Sequence, residues 1–413
     1  MRNKSKNVKT ITSNFIWRFM ERAGAQIVQF VVSIILARIL SPNDYGTVAL
    51  IVVIANIFQV FVDSGLGNAL IQKKDADDMD FSSVFYLNIC FCILLYIILF
   101  FSAPLVAWFY GNPQLISLTR VLCLTVVISG VKNVQQAYIS RTLQFKKFFF
   151  ATLVGTVSSA LIGIYMAYSG YGVWSLVIQR VANLGIGTVM LWITVKWRPQ
   201  LCFSFRRIKT LFGFGWKLMV SSLIDTVYVN LRQIFIGKLY SEKDLAYYNQ
   251  GNQYPNVLAN MLNTSIDGVI FPVMSQEQND KIRLKNMARR SIKTATFILA
   301  PVMIGIAAVG PNLIHIFLTD KWMPSLPYLR IFCISYMFYP IHTANLTAIN
   351  AQGRSDIFLK LEIVKKTIGV IVILISLNYG ILAIAIGELI VSFLGQIINS
   401  WPNKKLLRYS YFE

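Results

Sequence analysis

The chain has little charge for its length and almost no histidine. Of its 413 residues 14% are charged and two are histidine. The five cysteines lie mainly in apolar stretches, without the spacing of a metal or redox site. No phosphate-binding GxxxxGK[ST] loop and no HExxH motif occurs. We therefore expect neither catalytic nor metal-binding residues, and no cofactor.

Apolar residues are abundant and form long runs. They make up 55% of the chain, and the mean hydropathy is +0.57. Runs of about 20 apolar residues can cross a hydrocarbon core of roughly 30 Å, and only helices satisfy their own backbone hydrogen bonds in lipid. The pattern predicts an all-α polytopic membrane protein of about 12 transmembrane helices. The predicted spans, helices 1 to 12, are 13–40, 46–71, 83–110, 115–140, 148–168, 171–196, 213–238, 245–275, 292–318, 326–350, 356–377 and 380–400.

Positive charge dominates the sequence, with 39 lysines and arginines against 18 acids and a net charge of +21. The cations do not form a soluble domain with interleaved aromatics, so no nucleic-acid partner is expected. They concentrate in every second loop, whereas the intervening loops have little beyond Lys238, Lys243 and Lys321. Because lysine and arginine near helix ends are retained in the cytoplasm, both termini are predicted to be cytoplasmic.

The two halves of the chain resemble each other. Ser41-x-x-Asp44 after helix 1 recurs as Ser241-x-x-Asp244 after helix 7, and both can cap the following helix. Further matches are Asn56, Gln59, Asp63 and Gln72 with Asn260, Asn263, Asp267 and Gln276; Arg120 and Cys123 with Arg330 and Cys333; Lys132 with His342; and Tyr171-Gly172 with Tyr379-Gly380. The matched helices run in the same direction, so the repeat predicts two six-helix lobes about a pseudo-twofold axis along the membrane normal.

The repeat also sets the predicted domain boundaries. The N-terminal lobe is predicted over 1–196 and the C-terminal lobe over 213–413. Residues 197–212 between them mix phenylalanines with arginine and lysine, which suits an amphipathic linker on the cytoplasmic surface of the membrane. Helices 3, 5 and 9 carry no charge in their interiors and are expected to face lipid.

Two predicted spans carry polar stripes at helical spacing. The stripes are Arg18, Arg22, Gln26, Gln29 and Ser33 on helix 1, and Lys217, Ser221, Asp225, Tyr228 and Arg232 on helix 7. A charge facing lipid costs at least about 2.5 to 3.5 kcal/mol, so such a stripe faces protein or water. We favour the interpretation that the two stripes line the walls of an aqueous cavity. The alternative is that Arg18, Arg22 and Lys217 anchor their helices at the cytoplasmic interface.

The cations inside the predicted spans indicate an anionic substrate. Guanidinium groups match phosphate geometry, whereas a carrier of drug cations would need acids and aromatics. The candidate diphosphate-binding residues are Arg18, Arg22, Lys132, Arg180, Lys217 and Arg232. Arg120 and Arg330 lie near helix ends. For these two residues the sequence favours neither a role in lining the cavity nor a structural role.

Five acids also lie inside the predicted spans. They are Glu21, Asp63, Asp225, Asp267 and Glu388. Their first interpretation is charge pairing with neighbouring cations, since buried charges normally need partners. Their second interpretation is coupling to a proton or sodium gradient. We favour pairing.

The segments 37–46 (ARILSPNDYG), 63–72 (DSGLGNALIQ) and 350–356 (NAQGRSD) resemble the polysaccharide transporter family of the multidrug and oligosaccharidyl-lipid exporter superfamily, with its MATE-like fold. The resemblance covers nearly the whole chain. It implies a flippase in the bacterial cytoplasmic membrane that moves undecaprenyl-diphosphate-linked repeat units by alternating access. Cations on helices 1 and 7 would meet the diphosphate, and membrane lipids and polysaccharide assembly enzymes would be partners. Many relatives carry two helices beyond the twelve predicted here.

Two other functions fit the sequence less well. A drug or cation antiporter of the same superfamily conflicts with the basic surplus. A membrane oligosaccharide polymerase would need a large outer loop, and every outer loop here is short. The acids Asp75, Asp77 and Asp78 could be read as a nucleotide-sugar DxD motif, but a ten-residue loop offers no sheet to hold such a ligand.

Overall fold

The computed structural model is predominantly helical in the part that it describes, which is residue 17 and residues 24–63, 66–73, 75–278 and 280–409. No strand occurs among these residues. The helices are α1 (Gly24–Ile39), α2 (Pro42–Asp63), α3 (Leu66–Gln72), α4 (Asp78–Tyr110), α5 (Leu115–Leu122), α6 (Leu124–Thr142), α7 (Phe145–Tyr168), α8 (Val173–Thr194), α9 (Phe205–Leu239), α10 (Glu242–Gln276), α11 (Lys281–Leu313), α12 (Leu326–Met337), α13 (Tyr339–Ala351), α14 (Ser355–Ser376) and α15 (Ile381–Leu406).

Where the structure describes them, the twelve predicted spans each coincide with one helix or with two consecutive helices. Spans 2, 4 and 10 are each built from a pair, namely α2 with α3, α5 with α6, and α12 with α13. The predicted all-α polytopic fold class is confirmed. Several helices begin earlier than their predicted spans, because polar residues outside the apolar run extend the helix beyond it.

Seven spans among the described residues are long and apolar enough to cross a membrane by length and composition. They are Pro42–Asp63, Asp78–Tyr110, Leu115–Thr142, Phe145–Tyr168, Val173–Thr194, Lys281–Leu318 and Ile381–Leu406. The helices α9, α10 and α14 are also long enough, but they carry more polar and charged residues. Helices of that composition need protein or water against their polar faces.

Local sequence explains several helix boundaries. At the start of α2 the Ser41 amide and hydroxyl both donate to the Asp44 carboxylate, at 2.9 and 2.7 Å, and the Asp44 amide donates to the Ser41 hydroxyl at 3.2 Å. This is the predicted capping box. The matching α10 begins at Glu242, directly after Ser241. The break before α13 comes just before Pro340, whose missing amide hydrogen suits a first helical turn.

The chain divides into two compact units, Met1–Glu242 and Lys243–Glu413, called here the first and second unit. Within the first unit, α9 packs against α2, α3 and α4. The predicted lobes placed helix 7, the counterpart of α9, after the boundary. The lobe boundary drawn from the repeat stays a prediction, because packing and internal duplication need not divide a chain at the same residue.

The cytoplasmic linker predicted over 197–212 is only partly helical. Residues 195–204 carry no helix, and α9 begins at Phe205. Pro199 opposes a helix here, since it lacks an amide hydrogen and disfavours helical backbone in the residue before it. Trp197 is buried in an aromatic cluster of the first unit with Phe81, Phe85 and Tyr138. The segment is therefore fastened to the first unit.

The helices without internal charge expose large apolar side chains. Trp108 on α4 is 80% exposed, Leu161 on α7 is 66% exposed and Phe297 on α11 is 81% exposed. Such side chains are stable only against lipid or another apolar surface. The exposure agrees with the expectation that predicted helices 3, 5 and 9 face lipid.

Candidate functional site

The first polar feature is Arg180 on α8. It lies at the centre of the buried face of that helix, in line with Val173, Val177, Leu184 and Leu191 at helical spacing. Its side chain is nevertheless exposed. Among the described residues it makes no hydrogen bond or ion pair. The guanidinium group is therefore exposed, and its five donors make no bond to the described residues.

The second polar feature joins α2 to α6. The Asn133 amide donates to the Val62 carbonyl at 2.7 Å and lies 3.5 Å from the Asp63 carboxylate. The Gln59 side chain also donates to Asp63, and the charge of Lys132 acts on the same carboxylate. Asp63 therefore has two amide donors and a nearby ammonium group. This arrangement suits charge pairing.

The polar stripe of α9 changes character along the helix. Asp225 is exposed, Tyr228 is partly buried and Arg232 is only 7% exposed. The Arg232 guanidinium carbon lies 5.6 Å from the centroid of the Tyr228 ring, within the range of a cation–π contact. The stripe thus runs from an accessible carboxylate to a buried arginine.

The second unit has a hydrogen-bonded polar interior between α10 and α12. The Tyr336 hydroxyl donates to Asn252 at 2.9 Å and accepts from the Asn256 amide at 2.7 Å. Asn260 donates to Asn256, which extends the chain of bonds along α10. Glu388 on α15 interacts electrostatically with Tyr336. This carboxylate therefore lies at the edge of an amide and hydroxyl network.

A second polar seam joins α13 to α15. The His342 Nε2 atom lies 2.9 Å from the Ser392 carbonyl, and Nδ1 lies 3.1 Å from the Asn399 amide nitrogen. One nitrogen must donate and the other accept, so the contacts define a neutral imidazole. Further along, the Asn403 amide donates to the Asn345 side-chain oxygen at 2.7 Å. Both asparagines are almost completely buried.

Arg120 and Arg330, which the repeat places at equivalent positions, make equivalent contacts. The Arg120 Nε donates to the Phe100 carbonyl of α4 at 3.4 Å, and the Arg330 Nε donates to the Ala307 carbonyl of α11 at 3.2 Å. The Arg120 guanidinium also lies 4.1 Å from the Phe100 ring centroid. Each arginine thereby fastens the first half of a broken span to the preceding long helix.

The acids considered as a DxD motif cap and anchor α4. Asp77 is the N-cap of α4 and forms a capping box with Asp80. Asp78 accepts from the Trp197 indole at 3.1 Å, and Asp80 binds Lys73 at 2.6 Å. The hydrogen bond from Arg207 and the backbone bond from Asp80 hold the pKa of Asp77 at about 2. These contacts give the loop a structural role.

Several predicted site residues, or their side chains, lie outside the part of the chain that the structure describes. Arg18, Glu21 and Arg22 lie outside the described residues, as do the side chains of Lys217 on α9 and Asp267 on α10. Their predicted roles stay predictions. Conversely, the prediction overlooked the seam of α15. Its signal was visible in the sequence, as polar residues spaced by three and four along the predicted helix 12 and just beyond its end: Ser392, Gln396, Asn399 and Asn403.

Solved structures with the same architecture define the class of protein. The lipid II flippase MurJ, in an inward closed conformation, superposes with a TM-score of 0.79 at 14% identity, covering 94% of this chain and 87% of that one. An inward-facing multidrug resistance transporter of the MATE family superposes with a TM-score of 0.74 at 15% identity, covering 94% and 96%. The chain therefore has the MATE-like fold that these two structures share.

The family follows from sequence. The family model described as polysaccharide biosynthesis protein matches residues 35–327, and the chain belongs to that family. The succinoglycan biosynthesis transport protein ExoT of Rhizobium meliloti is 25% identical over 80% of this chain and 67% of its own length. The teichuronic acid biosynthesis protein TuaB of Bacillus subtilis is 24% identical, over 84% and 73%. The lipopolysaccharide biosynthesis protein WzxC of Escherichia coli is 24% identical, over 91% and 76%. This multi-pass membrane protein serves transport in polysaccharide biosynthesis.

Proposed function

We propose that the protein is a flippase that translocates undecaprenyl-diphosphate-linked oligosaccharide units across a bacterial cytoplasmic membrane by alternating access. Both termini would lie in the cytoplasm, as the loop charges predict. The family and the lipid-linked substrate in the name of the MurJ neighbour support this class of cargo. The observation that carries the proposal is Arg180, an exposed cation on the mainly apolar face of α8 that makes no hydrogen bond or ion pair with the described residues.

Arg180 is suited to a diphosphate for two reasons. A guanidinium group can donate two parallel hydrogen bonds to phosphate oxygens, and these are stronger than neutral hydrogen bonds. A cation within a membrane-spanning helix is costly to maintain without a partner, so an anionic ligand would stabilise it. In this proposal Arg180 contacts the diphosphate, and Lys132 raises the local positive potential. Arg18, Arg22, Lys217 and Arg232 stay further candidates for the same role.

The antiporter alternative depends on the second unit. Glu388 beside Tyr336 is the kind of group that a proton or sodium ion could neutralise. A flippase could use such a carboxylate for coupling, whereas a drug antiporter would use it for cationic cargo. The two functions therefore differ in which charge contacts the cargo, Arg180 or Glu388.

The test is a translocation assay in liposomes that hold a fluorescent undecaprenyl-diphosphate oligosaccharide in one leaflet. We expect the wild-type protein to move the lipid, and Arg180→Ala to lower the initial rate at least tenfold, a loss of about 1.4 kcal/mol. Arg180→Lys should keep part of the rate, because the charge remains while the bidentate geometry is lost.

The matched control is Arg354→Ala, which removes an exposed arginine paired with Asp356 in a loop of the second unit. It should match the wild type. A folded Arg180→Ala variant with wild-type translocation would contradict the role of Arg180. A wild-type protein that moves no lipid but exports cationic dyes would favour the antiporter instead.

A further inference from the structure

The segment from Lys196 to Phe212, called here the strap, has two distinct faces. The inward face is held against the first unit by the buried Trp197. The backbone amides of Gln200 and Ser204 donate to the hydroxyls of Ser82 and Ser83, at 2.9 and 3.0 Å. Arg207 forms ion pairs with the acids at the start of α4. Because these contacts recur along its length, the orientation of the strap is fixed.

The outward face of the strap is apolar. Between 201 and 205 exposed and partly buried residues alternate, as expected for an extended chain along a surface. The outward residues are Leu201, Phe203 and Phe205, which are 98%, 54% and 71% exposed. The stripe continues on α9 with Phe212 and Trp216, seven and eleven residues after Phe205 on the same helical face.

This polarity is the reverse of that of a loop in water. Over residues 201–205 the Ser204 amide donates to the protein, whereas the large side chains of Leu201, Phe203 and Phe205 face outward. Exposed basic residues flank the apolar stripe at Lys196, Arg206 and Lys209. Aromatic and aliphatic side chains bordered by cations form the pattern that binds the interface of an anionic membrane.

The position of the strap also fits a membrane surface. It leads without a break into α9, whose 35 residues span about 52 Å, against roughly 30 Å for a hydrocarbon core. The first turns of α9 therefore extend into the headgroup region. The strap belongs to one of the strongly basic loops that the charge pattern assigns to the cytoplasm.

We propose that the strap is a docking surface for anionic phospholipids of the cytoplasmic leaflet. Its apolar stripe inserts below the headgroups, and Lys196, Arg206 and Lys209 contact the lipid phosphates. The fixed inward face transmits the position of the membrane surface to α4 and α9 of the first unit. This inference goes beyond the proposed cargo and does not depend on it.

The test uses a cysteine-free background with a single cysteine carrying the fluorophore NBD. One labelled position replaces Leu201, and the control replaces Gln278, an exposed polar residue of another basic loop. The purified protein is placed in vesicles of brominated phosphatidylcholine, with or without phosphatidylglycerol. With phosphatidylglycerol, we expect blue-shifted emission and at least twofold quenching at position 201, and neither at position 278.

The role of lipid charge is tested with the triple variant Lys196→Gln/Arg206→Gln/Lys209→Gln. Quenching at position 201 should fall at least twofold in this variant and on omission of phosphatidylglycerol. A label at 201 that emits as in water would overturn the proposal and favour a protein partner for the stripe. Equal quenching in all lipids and in the triple variant would overturn the choice of anionic lipid. None of these readouts requires translocation, so they separate this inference from the flippase proposal.

Discussion

Two matched helices, α8 in the first unit and α15 in the second, show how the units differ. Each follows a Tyr-Gly pair whose glycine has a positive φ, 52° at Gly172 and 95° at Gly380. In both helices the same face is buried. Eight residues after these glycines, that face carries Arg180 in the first unit and Glu388 in the second. The repeat has kept the position and reversed the charge.

The rest of the two faces differs as well. The buried row of α15 is polar, with Gln396, Asn399 and Asn403. The matching residues of the first unit are Thr188, Leu191 and Val195. The first row is therefore mainly aliphatic near an exposed cation, and the second consists of amide side chains near a carboxylate. The comparison shows that two helices with the same buried face can carry different kinds of interior side chain. It favours assigning anion binding to the first unit and ion coupling to the second.

The largest effect is expected from reversing the charge at Arg180. Arg180→Glu should lower flippase activity more than 100-fold, about 2.7 kcal/mol, because a carboxylate repels the diphosphate as well as failing to bind it. Glu388→Gln should instead keep downhill translocation and lose its dependence on an imposed proton or sodium gradient. Initial rates in liposomes, with and without gradients, measure both. If Glu388→Gln loses all downhill translocation, the division of roles between the two helices is wrong.

The next effect concerns the amide seam, which is peculiar to the second unit. Asn403→Leu removes the donor to the Asn345 side-chain oxygen and leaves that buried atom unsatisfied, at a cost of about 1 to 3 kcal/mol in the free energy of unfolding. Unfolding of the detergent-solubilised protein, followed by thermal scanning, measures the loss. Because the double variant Asn345→Leu/Asn403→Leu leaves neither amide unpaired, it should recover part of the stability. A single variant as stable as the wild type would show that the seam is not tightly packed.

A smaller contrast is expected at two matched glycines, Gly187 on α8 and Gly395 on α15. A Cβ atom at Gly395 would lie 2.7 Å from Cε1 of His342, whose ring is held by Ser392 and Asn399, whereas one at Gly187 would meet nothing closer than 3.8 Å. Gly395→Ala should therefore destabilise the protein by about 1 to 3 kcal/mol through overpacking. Gly187→Ala should be neutral or stabilising by up to about 1 kcal/mol, since alanine favours helix. Thermal scans of both variants measure the contrast, and equal shifts would contradict it.

The sequence predicts the helical framework well because the signals for it are local. Apolar runs and the Ser41 cap each depend on residues near one another in the chain. The break at Pro340 could also be expected from the residue itself. The break at Cys123 between α5 and α6 has no such local signal, and we have no sequence explanation for it.

What the sequence does not predict depends on contacts between distant segments. The amphipathic composition of the linker was visible, but its attachment through Trp197 and Arg207 to the start of α4 was not. Likewise, Arg120 and Arg330 looked equally suited to a cavity until their carbonyl partners were known. The spacing of polar residues identifies a helix face. It does not determine whether that face meets water or a partner amide.

The smallest effect concerns two exposed aspartates that accept a hydrogen bond from an arginine, Asp77 in the first unit and Asp356 in the second. The bond from Arg207 lowers the pKa of Asp77 to about 2. A lowered pKa stabilises the folded state above the usual value near 4, and that stabilisation is lost as the pH falls through 2. Asp77 binds Arg207, far along the chain, whereas Asp356 binds Arg354, two residues away.

Protonation of Asp77 should therefore loosen the strap. Protonation of Asp356 should not release any distant segment of the second unit. A spin label on the native Cys202 should gain mobility between pH 4 and pH 2. Asp77→Asn should give the same gain in mobility at neutral pH, and the control Asp356→Asn should not. If Asp77→Asn leaves the mobility of the label unchanged, the contact between Asp77 and Arg207 is not needed to hold the strap, and Trp197, Gln200 and Ser204 are sufficient.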